Sequence, residues 1–308
     1  MTKVFIDGSA GTTGLRLRER LAGRDDIELV ILPDSLRKDI EARRSALNDA
    51  DIVFLCLPDD AAREAVSMIE NPGTAVIDTS TAHRTADGWT YGFPEITGAD
   101  NISASKRIAN PGCHASGFIS LVYPLVNAGL ISRDAKLSAF SLTGYTGGGN
   151  KMIAEYEGKR PKLFDAPRQY ALSQAHKHLP EMQKVCTLTR APCFCPVVAD
   201  FPCGMEVSLT LFADDIKGSP DDVCDVYRSF YQGDLVSFND TDEGGFLSAG
   251  AYAGLDTMGL SVYGNEERML LVSRFDNLGK GASGAAIQNM NILLGESETK
   301  GLVLRKEL

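Results

Sequence analysis

The sequence predicts an α/β fold in which a doubly wound parallel sheet is joined to a second, α+β domain. Short apolar runs alternate with helix-compatible segments over the first 80 residues. A glycine-rich loop follows the first of these runs, and later segments alternate apolar with polar residues, as in strands that have one covered face. A length of 308 residues is also too great for one ordinary compact core, which favours two domains.

The first domain is predicted from apolar runs that lack alternation, which is typical of parallel strands covered by helices on both faces. The predicted strands are 3–7, 27–33, 51–58 and 74–78. The predicted crossover helices are 12–22, 38–47 and 59–69. The regular pattern dissolves into glycine, proline and polar residues at 87–107, which predicts a long loop.

The second domain begins with a predicted helix after Gly112, because apolar residues recur there at helical spacing and Gly129 is placed to end it. Pro124 conflicts with this helix, and we expect a kink or a short first helix. Alternating segments at 135–143, 206–212 and 268–275 predict a mixed or antiparallel sheet. The predicted domains are 1–112 with 284–308, where a helical tail lies, and 113–283.

A formal net charge of −10 disfavours nucleic acid and anionic membranes as partners, since both attract clustered lysine and arginine. No apolar run approaches the roughly 18 residues of a membrane span, and the amino terminus lacks the apolar core of a signal peptide. Seven cysteines are an odd number in a chain too large to need disulfides, which favours a reducing compartment. We therefore expect a cytoplasmic protein.

The segment "IDGSAGTTG" places three glycines after the first strand and at the start of the first helix. This is the context of a dinucleotide loop, in which glycines allow a tight turn and let backbone N–H groups approach a pyrophosphate. The spacing is G-x-x-G-x-x-G and not G-x-G-x-x-G, so a purely structural turn is the alternative. The predicted cofactor-binding residues of this Rossmann-like unit are Gly8, Ser9, Ala10, Gly11, Thr12, Thr13 and Gly14.

The residues after the second predicted strand bear on the choice of nicotinamide cofactor. Asp34 lies about where an acidic residue would bind the ribose hydroxyls of NAD. Ser35, Arg37 and Lys38 come next and are suited to hold the 2′-phosphate of NADP. The residues alone leave both cofactors open, and NADP is our prediction.

Cys113 comes directly after Pro111 and Gly112 and occupies the first turn of the predicted helix. Unpaired N–H groups and the helix dipole stabilise a thiolate at such a position. Ser116 and nearby backbone N–H groups are suited to donate hydrogen bonds to an oxyanion formed on an attacked carbonyl. A buried, inert cysteine at a helix start is the alternative.

His176 and His178 lie two residues apart in "AHKHLPEM", so both imidazoles can face one side of an extended segment. A thiol nucleophile usually needs a base or proton shuttle, and these histidines are the candidates. No carboxylates or thiols with convincing metal-ligand spacing accompany them, so we predict no metal site.

Eight segments, taken in order, carry a resemblance to a known family. They are "GSAGTTG" (8–14), "LCLPDDAAREA" (55–65), "DTSTAHR" (78–84), "YGFPEI" (91–96), "NPGC" (110–113), "GYTGGG" (144–149), "HKHLPEM" (176–182) and "DNLGKGASGAAIQNMN" (276–291). Together they resemble the N-acetyl-γ-glutamyl-phosphate reductase family in its shorter form, and the match runs almost end to end. The wider superfamily includes aspartate-semialdehyde dehydrogenase and shares a nucleotide-binding fold, with a cysteine opening the second domain.

The resemblance implies the NADPH-dependent reduction of an acyl phosphate in arginine biosynthesis. Cys113 would attack the γ-carbonyl of N-acetylglutamyl phosphate, expel phosphate and hold the acyl group as a thioester. Hydride from NADPH would then give N-acetylglutamate 5-semialdehyde, while the site holds water away from the thioester. The family also implies a homodimer or homotetramer.

The resemblance also assigns roles to single residues. Cys113 matches the nucleophile, and His176 and His178 match the pair that supplies the acid or base, without a decision between them. Arg84 matches a position that holds the substrate phosphate, which a guanidinium fork suits; a surface arginine is the alternative. The other substrate-binding candidates are Asn110, Ser116, Tyr145 and Glu181, and Asn277 is a cofactor-binding candidate.

The sequence departs from the family in two segments. His114, Ala115 and Ser116 follow the cysteine, where Tyr-Pro-Thr or a close variant is more usual. We expect the His114 imidazole to point away along the helix, because adjacent helical residues diverge by about 100°; a protonated His114 that favours the thiolate is the alternative. His83 replaces a bulkier residue beside Arg84 and is placed to touch the phosphate site.

Two other functions remain open at this point. A sister enzyme acting on aspartyl phosphate or on a carrier-bound aminoadipyl phosphate would keep the fold and the thiol chemistry. A nucleotide-sensing regulator would keep the fold alone, but it would have no use for an activated thiol with two histidines.

Overall fold

The chain forms two compact units in a computed structural model that describes residues 1–238 and 242–305. The first unit contains Met1–Pro111 and Ala282–Leu302, and the second contains Gly112–Gly281 and the tail from Val303. The predicted first domain included all of 284–308, of which 306–308 lie outside the described residues. The tail groups with the second unit because Asp256 pairs with Val303 through two hydrogen bonds of 2.8 Å, one from each backbone N–H.

The first unit is a doubly wound sheet. Its strands are β1 (Thr2–Asp7), β2 (Ile27–Val30), β3 (Ile52–Leu55), β4 (Ala75–Asp78), β5 (Thr90–Tyr91) and β6 (Arg107–Ala109). Its helices before residue 112 are α1 (Thr12–Leu21), α2 (Ile40–Asp49), α3 (Asp59–Ser67), α4 (Pro94–Thr97) and α5 (Ala99–Ser103). Within the described residues the six strands follow the order β2-β1-β3-β4-β6-β5, and all neighbours are parallel. The predicted parallel sheet is confirmed.

Successive residues of the central strands enter two different apolar layers. In β1, Val4 and Ile6 pack in one layer, and Phe5 packs in the other. The first layer also receives Ile287 and Met290 from the carboxyl-terminal part of the chain. Because burial of each such side chain stabilises the fold by about 1.5–3 kcal/mol, both faces of the strand favour apolar residues and the alternation disappears.

The predicted loop at 87–107 is wrong in part. It contains β5, α4 and α5, and its last residue is the first residue of β6. These elements are two to five residues long, which is too short to display a helical or strand period. Distant contacts hold them instead: the Asn289 side chain donates to the Gly92 carbonyl at 2.9 Å.

The second unit contains a mixed sheet. Its strands are β7 (Ser138–Gly144), β8 (Arg168–Gln169), β9 (Cys193–Ala199), β10 (Met205–Phe212), β11 (Val236–Phe238), β12 (Met258–Gly264) and β13 (Arg268–Phe275). Its helices are α6 (Cys113–Asn127), α7 (Gly149–Glu157), α8 (Leu179–Val185) and α9 (Pro220–Phe230). Within the described residues the order is β11-β12-β13-β10-β7-β9-β8. The helix α10 (Gly284–Leu294) returns to the first unit.

The prediction of a mixed or antiparallel sheet is confirmed, although two of its longer strands are not visible in the sequence pattern. β10 pairs with β13 and β7 in antiparallel fashion, whereas β7 pairs with β9 in parallel. β9 contains Pro196 and β12 contains glycines at both ends of its apolar run, and such residues weaken a strand signal.

Helix α6 runs without a break through Pro124 to Asn127, so the expected short first helix does not form. A proline leaves the carbonyl four residues earlier without its helical donor. Here that carbonyl, Ser120 O, accepts a hydrogen bond of 2.8 Å from the Tyr231 hydroxyl. The next carbonyl, Leu121 O, accepts from the Tyr227 hydroxyl at 2.7 Å. Two tyrosines near the end of α9 therefore make the internal proline tolerable.

Gly117 provides a stability test of how α6 packs on its sheet. A Cβ at Gly117 would lie 2.4 Å from Val207 Cγ2 and 3.0 Å from Phe275 Cε1. Alanine adds about 1 kcal/mol of helix propensity, but overpacking costs about 1–3 kcal/mol. We expect the overpacking to outweigh the gain in propensity, so that Gly117→Ala lowers the free energy of unfolding in urea by up to about 2 kcal/mol.

Gly233→Ala is the matched control, because a Cβ at Gly233 meets nothing within 4 Å. Its free energy of unfolding should change by less than about 0.5 kcal/mol or rise slightly. A Gly117→Ala protein more stable than the wild type would contradict close packing of this turn.

Candidate active site

The glycine loop leaves the carboxyl end of β1, next to the point where the strand order changes direction between β1 and β3. Gly8 has φ +89°, and a Cβ there would lie 2.3 Å from Cys56 O. A Cβ at Gly14 would lie 2.3 Å from Gly8 O. Both positions therefore require glycine, one for the turn and one for the close approach of α1 to the loop.

A cavity of about 420 Å³ opens against this loop. Of the eleven predicted cofactor-binding residues, the structure brings six to its wall, whereas Thr12, Thr13, Gly14, Ser35 and Asn277 are not among the lining residues. The glycine cradle fits the pyrophosphate of a dinucleotide cofactor. The six residues are Gly8, Ser9, Ala10, Gly11, Arg37 and Lys38.

Asp34 lies outside the wall of the cavity. Its side chain is 95% exposed and lies 3.7 Å from the Arg37 guanidinium. Asp34 is not among the residues that line the cavity. Arg37 and Lys38, and not Asp34, therefore line this cavity.

Arg43 is a cavity residue that the sequence reasoning missed. Its guanidinium is buried and donates to Asp7 at 2.9 Å and to Glu64 at 3.2 Å. Burial raises the pKa of the Asp7 carboxyl, and the Arg43 charge opposes that rise. Its spacing in the sequence could have predicted that Arg43 is buried, because Arg43 shares the buried face of α2 with Ala46 and Leu47.

Arg84 lies in the segment after β4, at the same carboxyl edge of the sheet. Its Nε donates to Asn110 O at 2.9 Å, and Nη2 donates to Thr79 O at 3.0 Å. The Asn110 side chain is buried and donates to Ala282 O at 3.1 Å, so its amide is used within the first unit. The structure thus brings together two of the predicted substrate-binding residues, Arg84 and Asn110. The backbone carbonyls of Asn110 and Thr79 orient the Arg84 guanidinium.

His83, beside Arg84, is nearly buried. Its Nδ1 lies 2.6 Å from the Asp78 carboxylate, and its ring stacks on Trp89 at 4.0 Å between centroids. These contacts anchor the segment that carries Arg84. Contact between His83 and a phosphate stays a prediction.

Cys113 is the first residue of α6 and is partly exposed. The preceding amide, Gly112 N, donates to Glu181 Oε1 at 2.8 Å, and Glu181 is only 1% exposed. Glu181 therefore holds the turn that presents the thiol. The Ser116 hydroxyl donates to Gly112 O at 3.2 Å, so it is directed to the helix backbone, and its donation to an oxyanion stays a prediction.

His176 and His178 lie side by side, as the two-residue spacing predicts. Their ring centroids are 4.7 Å apart and the rings are perpendicular. The His178 amide donates to His176 Nδ1 at 3.2 Å, so a neutral His176 carries its proton on Nε2. His178 is buried and directly precedes the first residue of α8, while His176 is partly exposed.

His114 packs against both of these histidines, with ring centroids 5.4 Å from His176 and 5.6 Å from His178. Its Nδ1 lies 2.7 Å from Ser141 Oγ and its Nε2 lies 2.6 Å from the Tyr170 hydroxyl. Burial, followed by the charges of His176 and Lys177, lowers the pKa of His114 to about 3. Activation of the thiol by a protonated His114 at neutral pH is therefore wrong.

Two residues assigned by resemblance have structural partners in the second unit. The Tyr145 hydroxyl donates to Glu157 at 3.3 Å, and its ring stacks on Tyr156. Asn277 is buried; its Oδ1 accepts from Gly204 N at 2.9 Å and its Nδ2 donates to Thr146 at 3.1 Å. Asn277 thus supports the "GYTGGG" segment, and its contact with a cofactor stays a prediction.

Residues 1–238 and 242–305 hold no group of three or more histidine, cysteine, aspartate or glutamate side chains placed to bind a metal ion. They also contain no helix with the length and apolar character needed to cross a membrane.

The fold matches proteins of known structure. Aspartate semialdehyde dehydrogenase II from Vibrio cholerae superposes with a TM-score of 0.73 at 17% identity, covering 96% of this chain and 98% of that chain. Aspartate semialdehyde dehydrogenase from Francisella tularensis gives 0.72 at 13% identity, covering 96% and 100%. At these identities the likeness shows the shared fold, and it confirms the predicted α/β class.

Two family models match in the order of the two units. "Semialdehyde dehydrogenase, NAD binding domain" matches residues 3–104, and "Semialdehyde dehydrogenase, dimerisation domain" matches residues 113–277. The fold, the glycine loop and the thiol at the start of α6 therefore define an oxidoreductase of the semialdehyde dehydrogenase class.

Curated relatives narrow this class. The N-acetyl-gamma-glutamyl-phosphate reductases of Brucella suis and Brucella abortus are each 45% identical over 307 residues, covering 96% of this chain and 99% of the relative. The chain belongs to the N-acetyl-gamma-glutamyl-phosphate reductase family, which confirms the resemblance carried by its motifs.

The neutral state of His114 predicts a loss of stability on acidification. Its pKa is about 3 in the folded chain, against 6.5 for an unperturbed histidine. Between these values the unfolded state binds more protons, so the free energy of unfolding falls as the pH falls from 6.5 toward 3. This single group should account for about 2 kcal/mol between about pH 7 and about pH 5.

Urea unfolding of the wild type and of His114→Gln at the two pH values measures this contribution. The wild type should lose about 2 kcal/mol more than the variant on acidification, because glutamine does not titrate. Equal losses in the two proteins would show that His114 is not held neutral by the fold.

Proposed function

We propose that the protein reduces N-acetyl-L-glutamyl 5-phosphate to N-acetyl-L-glutamate 5-semialdehyde, with NADPH as reductant and release of phosphate. The observation that carries the proposal is the Cys113 thiol at the amino terminus of α6, in the unit that also holds the His176 and His178 pair. In biosynthesis, the protein would catalyse the step that consumes an acyl phosphate of N-acetylglutamate. The names and identity of the curated relatives support this substrate.

The chemistry begins with attack of the Cys113 sulfur on the acyl carbon. The carbon–sulfur bond forms, the carbon–oxygen bond to phosphate breaks, and phosphate leaves with that electron pair, so that a thioester remains. The N–H groups of the first turn of α6 stabilise negative charge on the sulfur before attack. Glu181 keeps this turn in place through Gly112 N.

The second half converts the thioester to the aldehyde. A bound NADPH supplies the hydride that this carbon accepts. The carbon–sulfur bond then breaks, and the sulfur leaves as a thiolate. His176 or His178 takes up the proton that the Cys113 thiol loses in the first half of the reaction, and it can return that proton after the second half. His176 is the more exposed of the two, which suits exchange with solvent.

Arg84 would bind the phosphate of the substrate. Two backbone carbonyls already fix the direction of its guanidinium. A guanidinium oriented in advance loses less conformational entropy when it takes up two phosphate oxygens. The anchoring of the neighbouring His83 to Asp78 and Trp89 supports the same role.

The open face of the second sheet supports a homodimer or homotetramer. Phe140 on β7 is 44% exposed and Phe212 on β10 is 64% exposed, whereas alternate residues such as Val207 are buried. A second copy of the chain would cover these side chains.

All seven cysteines lie within the described residues and are free thiols, which supports a reducing, cytoplasmic compartment.

The reverse reaction gives a direct assay of substrate choice. We expect phosphate-dependent reduction of NADP⁺ with N-acetylglutamate semialdehyde at a kcat/KM at least about tenfold above that with aspartate semialdehyde. Cys113→Ser should lose at least about a thousandfold in kcat while its affinity for NADP⁺ changes little.

Cys193→Ser is the matched control for the thiol, because Cys193 is exposed on β9 and should leave turnover unchanged. A preference for aspartate semialdehyde would favour the sister enzyme. Retained activity in Cys113→Ser would remove the covalent route, and no turnover with either aldehyde would favour a nucleotide-sensing regulator.

The cofactor preference depends on the basic wall of the glycine-loop cavity. Arg37→Ala with Lys38→Ala removes two cations from that wall while leaving the loop itself intact. The KM for NADPH should rise at least about tenfold and that for NADH should change less than about threefold, since only NADPH carries the 2′-phosphate. Arg18→Ala on α1, at an exposed position, is a control for the loss of surface charge. Equal effects on both cofactors would contradict the proposed phosphate site.

A further inference from the structure

We propose that Arg168 is a specificity-determining residue whose guanidinium binds the α-carboxylate of the substrate. The inference rests on the proposed function, because it names the group that recognises the end of N-acetylglutamyl phosphate opposite the reacting carbon. That substrate carries two anionic groups. Arg84 would bind the phosphate, and the carboxylate requires a second cation.

The Arg168 side chain is partly buried and is held by two aromatic rings. The central carbon of its guanidinium lies 3.3 Å from the centroid of the Phe164 ring and 5.0 Å from that of the Tyr156 ring. Its Nε donates to the Tyr156 hydroxyl at 3.1 Å. Both rings belong to one apolar cluster, in which Tyr156 is buried. The direction of the guanidinium is therefore fixed before any ligand binds.

Arg168 differs from the neighbouring Arg160 in how its charge is compensated. Arg160 donates to Asp200 and, at 3.0 Å, to Asp165, so its charge is paired within the protein. Within the described part of the chain, Arg168 pairs with no carboxylate, and its two Nη groups have no protein acceptor. An oriented guanidinium with an unpaired Nη edge suits a carboxylate that accepts two parallel hydrogen bonds. The structure thus offers an anion site at Arg168 and not at Arg160.

Strand geometry directs the Arg168 side chain to the same side as that of Tyr170. Arg168 begins β8, which pairs with β9 in antiparallel fashion, and the pairing continues to Tyr170, whose N–H donates to Pro196 O at 3.0 Å. Residues two apart in a strand face one side and lie about 6.5–7 Å apart. The Tyr170 hydroxyl lies 2.6 Å from Nε2 of His114, the residue after Cys113. Arg168 is therefore one strand step from a side chain that reaches the thiol-bearing turn.

The length of the substrate matches this arrangement. Four single bonds separate the α-carboxylate carbon of N-acetylglutamyl phosphate from its acyl carbon, which is about 5 Å in an extended chain. The carboxylate therefore lies a short distance beyond the groups that surround the thiol, in the direction of Arg168. An aspartyl chain is shorter by one methylene group, about 1.3 Å. Since the guanidinium is fixed, it favours one of the two chain lengths.

Three variants separate the charge of Arg168 from its part in the apolar cluster. Arg168→Gln removes the charge and the Nη groups but keeps a polar side chain on the strand. Arg168→Lys keeps the charge and lacks the planar fork. Arg190→Gln is the matched control, because Arg190 is an exposed arginine of the same unit. The thermal unfolding midpoint of each variant reports on folding separately.

The first readout is binding without turnover. Calorimetric titrations use N-acetyl-L-glutamate and N-acetyl-L-isoglutamine, in which the α-carboxylate is replaced by an amide. The wild type and Arg190→Gln should bind N-acetylglutamate at least about tenfold more tightly, since hydrogen bonds between charged groups are the stronger ones. Arg168→Gln should bind the two probes within about threefold of each other, and Arg168→Lys should fall between these limits.

The second readout is the reverse assay with N-acetylglutamate semialdehyde and its α-amide. With the acid, Arg168→Gln should lose at least about tenfold in kcat/KM, chiefly through KM. With the amide, its kcat/KM should stay within about threefold of the wild type. Equal losses with the two aldehydes would show that Arg168 only supports the fold, and would overturn the inference.

The two readouts distinguish failure of this inference from failure of the proposed function. The carboxylate site is overturned by a wild type that does not favour N-acetylglutamate over isoglutamine, or by Arg168→Gln with the wild-type preference. If the wild type does not turn over N-acetylglutamate semialdehyde, but its binding preference is present and is lost in Arg168→Gln, the proposed reaction is overturned and the carboxylate site stands.

Discussion

The packing of α6 on the second sheet is the constraint on which the candidate thiol site depends. The helix is buried along most of its length, and its close contact with Val207 and Phe275 is possible only because residue 117 is glycine. Its first turn can then present Cys113 at a defined place, with Gly112 tied to the buried Glu181. Without that packing, the Cys113 sulfur would not lie at a fixed place relative to the dipole and the N–H groups of the first turn.

The first unit depends on a comparable constraint. All of its strands are parallel, so their carboxyl ends lie at one edge. The glycine loop after β1 and the Arg84 segment after β4 leave from that edge because the strand direction requires it. Arg43 then contributes a buried charge to the cavity wall, compensated by Asp7 and Glu64.

Electrostatic repulsion is the constraint at the three neighbouring histidines of the second unit. Three imidazoles lie within 6 Å of one another by ring centroid, and a positive charge on one opposes a charge on the next. Burial resolves this by keeping His114 neutral, with hydroxyl groups on both ring nitrogens. A neutral His114 therefore lies against the other two imidazoles without adding a positive charge beside them.

Much of the fold was predictable from local pattern. The apolar runs of β1, β3 and β4 and the helices between them follow from burial on two faces, and the glycine loop follows from backbone geometry at Gly8 and Gly14. The short elements between residues 87 and 107 were not predictable, because two to five residues display no period and their stabilising contacts are distant in sequence.

The sequence by itself determined the chemical groups: a thiol at a helix start, two histidines two residues apart, and basic residues after the second strand. Tertiary structure alone decided their surroundings. It placed His114 against both histidines, turned Asp34 toward solvent and buried Arg43. The physical reason is that spacing along one element specifies the relative directions of side chains, whereas burial and partner groups come from strands and helices far away in the chain.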